Sequence, residues 1–159
     1  GAVTAQLLLI WERSMQYETD TLFDAPYWLL DIVPSQIPQS RAADYAAREK
    51  DYRQPKKLEA LYSLFAELLA VVSKRYAAVL TVFPEDKQTE APSGRQIAEA
   101  IRTHSRRGAV QLLLPKERSL LVLDAEDLYM TVYQPQPALL SLLRTEAEKR
   151  NLFLWRHPD

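Results

Sequence analysis

Asp31 sits in the middle of DAPYWLLDIVPSQIP (24–38), an otherwise apolar run. A carboxylate held in an apolar wall has its pKa pushed up and can act as an acid, a base or the anchor for a cation. On the wet side of a strand it does none of these. Period-two spacing puts Trp28, Leu30 and Ile32 on one face and Leu29, Asp31 and Val33 on the other. The expectation is an edge-exposed or salt-bridged Asp31, with an arginine from 95–107 as one partner able to neutralise it. A cleft carboxylate is the alternative.

Other acids gather in two places. Glu12, Glu18, Asp20, Asp24 and Asp31 are opposed only by Arg13 in the same stretch, and Asp124, Glu126 and Asp127 crowd a turn between two predicted strands. Such oxygen-rich groups could hold Mg²⁺ or Ca²⁺ or supply an acid/base pair. The spacing D-A-E-D lacks the glycine and the longer ligand pattern of a calcium-binding loop, and acids in turns are common for local hydrogen bonding alone. A solvated turn is the expectation, and no metal or cofactor is assigned.

Basic residues mass in RQIAEAIRTHSRR, where Arg95, Arg102, Arg106 and Arg107 face Glu99. Positive charge in the last turns of a helix is favoured by about 0.3–1 kcal/mol each, a sufficient reason for Arg102, Arg106 and Arg107. The functional alternative is phosphate or nucleic-acid contact, which the net charge of −1 does not favour for the molecule as a whole. His104 follows Ile97 and Ile101 around the helix and is aimed at the core boundary. Its neighbour Ser105 points about 100° away and cannot be its nucleophile. The other histidine, His157, lies near the C-terminus, so a multi-histidine metal site within the chain is not expected.

Tyr129, Thr131 and Tyr133 share one face of a strand whose other face, Leu128, Met130 and Val132, is core. A tyrosine face suits a ligand, a partner or a second copy of the chain.

Scarcities exclude more. With no cysteine there is no disulfide, thiolate nucleophile or cysteine metal site. The three glycines, Gly1, Gly94 and Gly108, lie far apart, so no phosphate-cradling loop can be written onto the chain. The run LLLIW (7–11) has no basic residue before it and is too short for a membrane span. A cytoplasmic protein is expected.

The elements that must position these groups are legible from periodicity. The chain has 159 residues, 47% of them hydrophobic and 26% charged, as in one ordinary globular domain over 1–159. KKLEALYSLFAELLAVVSKRY (56–76) carries a broad apolar stripe and should be a buried central helix, with 77–83 either its continuation or a separate strand. Residues 4–17 read as a helix, although LLLIW could be a buried strand, and 41–53 as a polar helix with a tyrosine stripe. PEDKQTEAP (84–92) reads as an exposed loop. Ser93 and Gln96 form a capping box, and Gly108 is the expected left-handed helix end. AVQLLL, SLLVLD and LYMTVYQ form a β-meander over about 109–133. ALLSLLRTEAEKR is a helix, and LFLWR a closing strand expected to run parallel to LYMTVYQ.

The fold class is α+β: a mainly antiparallel meander and a C-terminal strand packed against several helices. The leading functional reading is a non-catalytic binding module for a protein or small ligand, possible also as a homodimer through its tyrosines and sheet edge. Two alternatives stand beside it. One is a metal-assisted hydrolase using Asp31 with Asp124–Asp127, and the other is nucleic-acid binding through the Arg95–Arg107 helix.

Overall fold

The computed structural model describes residues 19–158. The helix read at 4–17 lies outside them. Seven strands form one antiparallel sheet: β1 (Tyr27–Asp31), β2 (Val79–Phe83), β3 (Lys87–Glu90), β4 (Ala109–Leu114), β5 (Ser119–Asp124), β6 (Met130–Tyr133) and β7 (Phe153–Arg156), in the order β3-β2-β4-β5-β6-β1-β7. The helices are α1 (Ala42–Tyr52), α2 (Pro55–Arg75), α3 (Gly94–His104) and α4 (Pro137–Lys149). A short helical turn, 19–22, precedes β1.

The chain obeys its periodicities. Pro55 opens α2, where its missing N–H breaks no helical bond. Leu61, Phe65, Leu68, Leu69 and Val72 then bury one side of that helix against the sheet. At roughly 1.5–3 kcal/mol of transfer free energy for each large side chain, α2 is the spine of the core. It stops at Arg75, and the β-branched residues after it form β2 instead of prolonging the helix. Ser93 caps α3 as read: its Oγ accepts from the Gln96 N–H at 3.1 Å while its own N–H donates to Gln96 Oε1 at 2.9 Å.

Two readings need correction. The stretch 84–92 is not only a loop, because Lys87–Glu90 pairs with β2 as the polar edge strand β3. Gly108 does not have a left-handed backbone. Glycine is required there because an added Cβ would come 1.7 Å from the Phe83 carbonyl oxygen, across the β2–β4 pair. The close approach of two strands, not a helix cap, fixes that residue.

The C-terminal strand does run parallel to β6, but the two do not touch. β1, from the front of the chain, is inserted between them and pairs antiparallel with both. Helices α2, α3 and α4 lie on one face of the sheet, packed on Leu30, Leu80, Leu112, Leu121 and Val132. The other face is divided. Over its middle Leu22 closes a small apolar cluster with Val79, Leu113, Leu120 and Val122. Over β6, β1 and β7 it opens into a cleft. Among the described residues no helix is long and apolar enough to cross a membrane.

Candidate functional site

Strand register builds the cleft. Tyr27, Leu29 and Asp31 alternate onto the open face of β1, while Trp28 and Leu30 point to the helices. Tyr133 lies opposite Tyr27, Thr131 and Trp155 flank Leu29, and Phe153 lies opposite Asp31. Asp124 closes the end of β5, and Asp127 and Tyr129 follow in the turn that leads into β6. The chain after β1 folds back so that Ser35, Gln36 and Tyr45 of α1 form the far wall. The volume of the cleft is about 470 Å³.

Asp31 is its deepest polar group, 4% exposed. Its Oδ1 accepts from the Ile32 N–H at 2.7 Å, and its Oδ2 accepts from the Trp155 indole N–H at 3.2 Å. Burial raises its pKa above the ordinary carboxylate value, opposed by these hydrogen bonds and more weakly by the charge of Arg48. It makes no ion pair among the described residues. The expected exposed or salt-bridged Asp31 is therefore replaced by the cleft carboxylate. Period two was right, but the face it assigned to solvent is covered by Trp155 and the returning chain. The helix at 95–107 cannot supply the partner, since it packs on the opposite side of the sheet.

The remaining cleft groups share this environment. Asp127 is half-buried, and its pKa is raised by burial and then by the charge of Asp124. Burial followed by neighbouring carboxylates likewise raises Tyr129 and Tyr133, which stay neutral phenols at physiological pH. Tyr27 stands between two ring partners, with Tyr133 at 5.7 Å between centroids and His157 at 5.1 Å. Trp155 also stacks on His157, at 6.0 Å between centroids. Among the described residues the lining thus carries Asp31, Asp124 and Asp127, an aromatic wall, and no lysine or arginine.

Of the residues singled out in the sequence, Asp31, Asp124, Asp127, Tyr129 and Tyr133 come together here. Glu126 does not: it occupies a left-handed turn position and offers its carbonyl to Arg53 at 2.9 Å. Arg102 and Arg106 border a separate groove between α2 and α3, with Arg102 held by Glu99. His104 bridges the Ala100 carbonyl and Glu85. Sequence reading missed Tyr27, Tyr45 and Trp155. Period two in YWLLD and LFLWR already aligned Tyr27 with Asp31 and Trp155 with Phe153. What it could not give was that the two strands, over a hundred residues apart, are neighbours.

No family model matches the chain, and no curated protein or solved structure shows significant similarity to it.

Proposed function

We propose that the protein is a binding module whose cleft takes a cationic organic group, an ammonium or a guanidinium. One observation carries this reading: a buried carboxylate that makes no ion pair among the described residues lies in an aromatic-walled cleft that holds two further carboxylates and, among the described lining residues, no lysine or arginine. Burying an anion is costly unless it is paired. An incoming cation would supply the pair, and tyrosine and tryptophan faces add about 0.5–2 kcal/mol of cation–π attraction in a partly desolvated site. The acids are read as charge and not as a ligand shell, because among the described residues no group of three His, Asp or Glu could hold a metal ion. The arginine helix lies on the other layer and its Arg102 is already engaged, so phosphate contact is not the favoured reading.

Titration with n-butylammonium and with N-acetyl-lysine methylamide, followed by chemical-shift changes of the Trp155 indole N–H, tests it. Saturable shifts that weaken at least about tenfold in Asp31→Asn, a loss of about 1.4 kcal/mol, are expected. Absence of any shift with either compound at neutral pH would end this reading.

A further inference from the structure

The cleft lies beside β7, the last strand of the sheet among the described residues, and the hydrogen-bond ladder shows which groups that edge presents. The Gln134 N–H donates to the Pro26 carbonyl, and the His157 N–H donates to the Tyr27 carbonyl at 3.4 Å. In an antiparallel pair, bonded and non-bonded residues alternate. The even-numbered residues of β1 therefore bond to β6 and the odd-numbered ones to β7. Within β7 the residues facing β1 are Phe153 and Trp155, opposite Asp31 and Leu29. The N–H and C=O groups of Leu154 and Arg156 consequently point away from the sheet.

The two sheet edges differ in how they treat such groups. β3 carries Lys87 and Glu90 on an exposed polar strand, the usual protection against strand addition. β7 carries Phe153, Leu154 and Trp155, and Phe153 is 38% exposed. A strand laid along β7 would lie roughly 4.8 Å from it, with alternate side chains on the open face. Those side chains would flank Phe153 and Trp155 and extend over the Trp155 ring toward the carboxylate its indole holds.

Resting on the cationic reading of the cleft, we propose that the natural ligand is a basic side chain carried by an extended peptide that adds to β7 as a further strand. Backbone pairing supplies affinity and the acidic cleft supplies side-chain choice, the division of labour of strand-addition recognition. Charge decides between a basic peptide and a second copy of the chain. A β7–β7 pair would set two acidic clefts side by side and bring a cation to neither, whereas lysine or arginine at alternate positions neutralises the cleft. Arg156 shares the helix-side face with Trp28 and lies outside the cleft.

The probes are a capped peptide of alternating threonine and lysine, the same peptide N-methylated at alternate backbone nitrogens, and N-acetyl-lysine methylamide. Binding is measured by calorimetry on the full chain. The unmodified peptide should bind at least about tenfold tighter than the capped lysine. N-methylation, or Arg156→Pro in the protein, should reduce peptide affinity to that of the capped lysine and leave the capped lysine itself unchanged. Proline fits an edge position whose N–H faces outward, and the N-methylated peptide tests the same point on unaltered protein. Asp31→Asn should weaken both ligands. If the peptide and its N-methylated form bind equally while the capped lysine still binds, edge addition is wrong and the cleft reading survives. If the peptide binds and Asp31→Asn changes nothing, the edge is used without the cleft and the proposal fails. If neither ligand binds, both readings fall. A wild-type dimer in sedimentation that Arg156→Pro dissolves would assign the edge to a second copy and overturn the peptide.

Discussion

The two faces of the sheet handle the same ingredients differently, and one pair of tryptophans on neighbouring strands shows how. On the helix-covered face, Trp28 of β1 receives the guanidinium of Arg144 from α4 at 5.9 Å, a cation supplied by the chain itself. On the open face, Trp155 of β7 donates to a buried carboxylate, and among the described residues no lysine or arginine reaches the lining. One face sets a cation from the chain against its tryptophan, whereas the other collects anions and aromatic rings with no lysine or arginine among its described lining residues. An imbalance of that kind costs stability if it stays empty, which makes the open face the one where a ligand has something to contribute.

The sharpest way to break this comparison is to damage the helix-covered face. Phe65 is fully buried between α2 and the sheet. Phe65→Ala should destabilise by about 3–5 kcal/mol, measured by urea unfolding, while the surviving folded protein keeps its affinity for n-butylammonium. A loss of affinity matching the loss of stability would show that the faces are not separable. A step down in size, Leu120 belongs to the small open-face cluster under Leu22. Leu120→Ala should cost about 2–3 kcal/mol, the lower end for leucine, because a small cluster can collapse around the cavity.

These two sites also show how much of the molecule the sequence made legible. The helix-covered face was readable because its signals are local. Leu61, Phe65, Leu69 and Val72 recur at helical spacing, AVQLLL and SLLVLD are separated by a turn of natural length, and Ser93 with Gln96 caps its own helix. The open face was readable in composition but not in assembly. Period two placed Asp31 and Leu29 on one face correctly, yet whether that face is wet depends on Trp155, whose strand is brought alongside only by tertiary structure. The same limit explains Gly108, whose constraint is the Phe83 carbonyl of another strand. It also explains β7, whose direction was right and whose neighbour was not, since no local pattern announces that the first strand will slip between β6 and β7.

The middle-sized prediction concerns pH, and its sign follows from burial. Asp31 has its pKa raised in the folded protein relative to the unfolded chain. Its contribution to stability is therefore fully present below the unfolded carboxylate pKa and is lost as pH rises through the folded value. Wild-type stability should decline relative to Asp31→Asn as pH rises from below 3.8, the ordinary value, toward neutrality. The difference between the two unfolding curves, followed with pH, measures it. Cation binding should run the other way, strengthening as Asp31 ionises, so a ligand at neutral pH recovers the stability that ionisation removes. If the two proteins show parallel pH profiles, Asp31 does not carry the strain assigned to it.

The smallest expected effect is also the most discriminating about how the open face recognises charge. Tyr129 borders the cleft beside Asp127 with its ring half-buried. A cation that rests on the ring face needs the ring and not the hydroxyl, because the attraction comes from the π-system. Tyr129→Phe should then leave both stability, within about 0.5 kcal/mol, and n-butylammonium affinity nearly unchanged, whereas Tyr129→Ala should lower affinity by about 0.5–1 kcal/mol. If the phenylalanine variant loses as much as the alanine variant, the hydroxyl is the recognising group. The ligand is then held by a hydrogen bond from its donor hydrogens to the phenol oxygen, a geometry that a quaternary ammonium cannot provide. Comparing n-butylammonium with n-butyltrimethylammonium on the wild type separates the two cases directly, since only ring-face recognition accepts both.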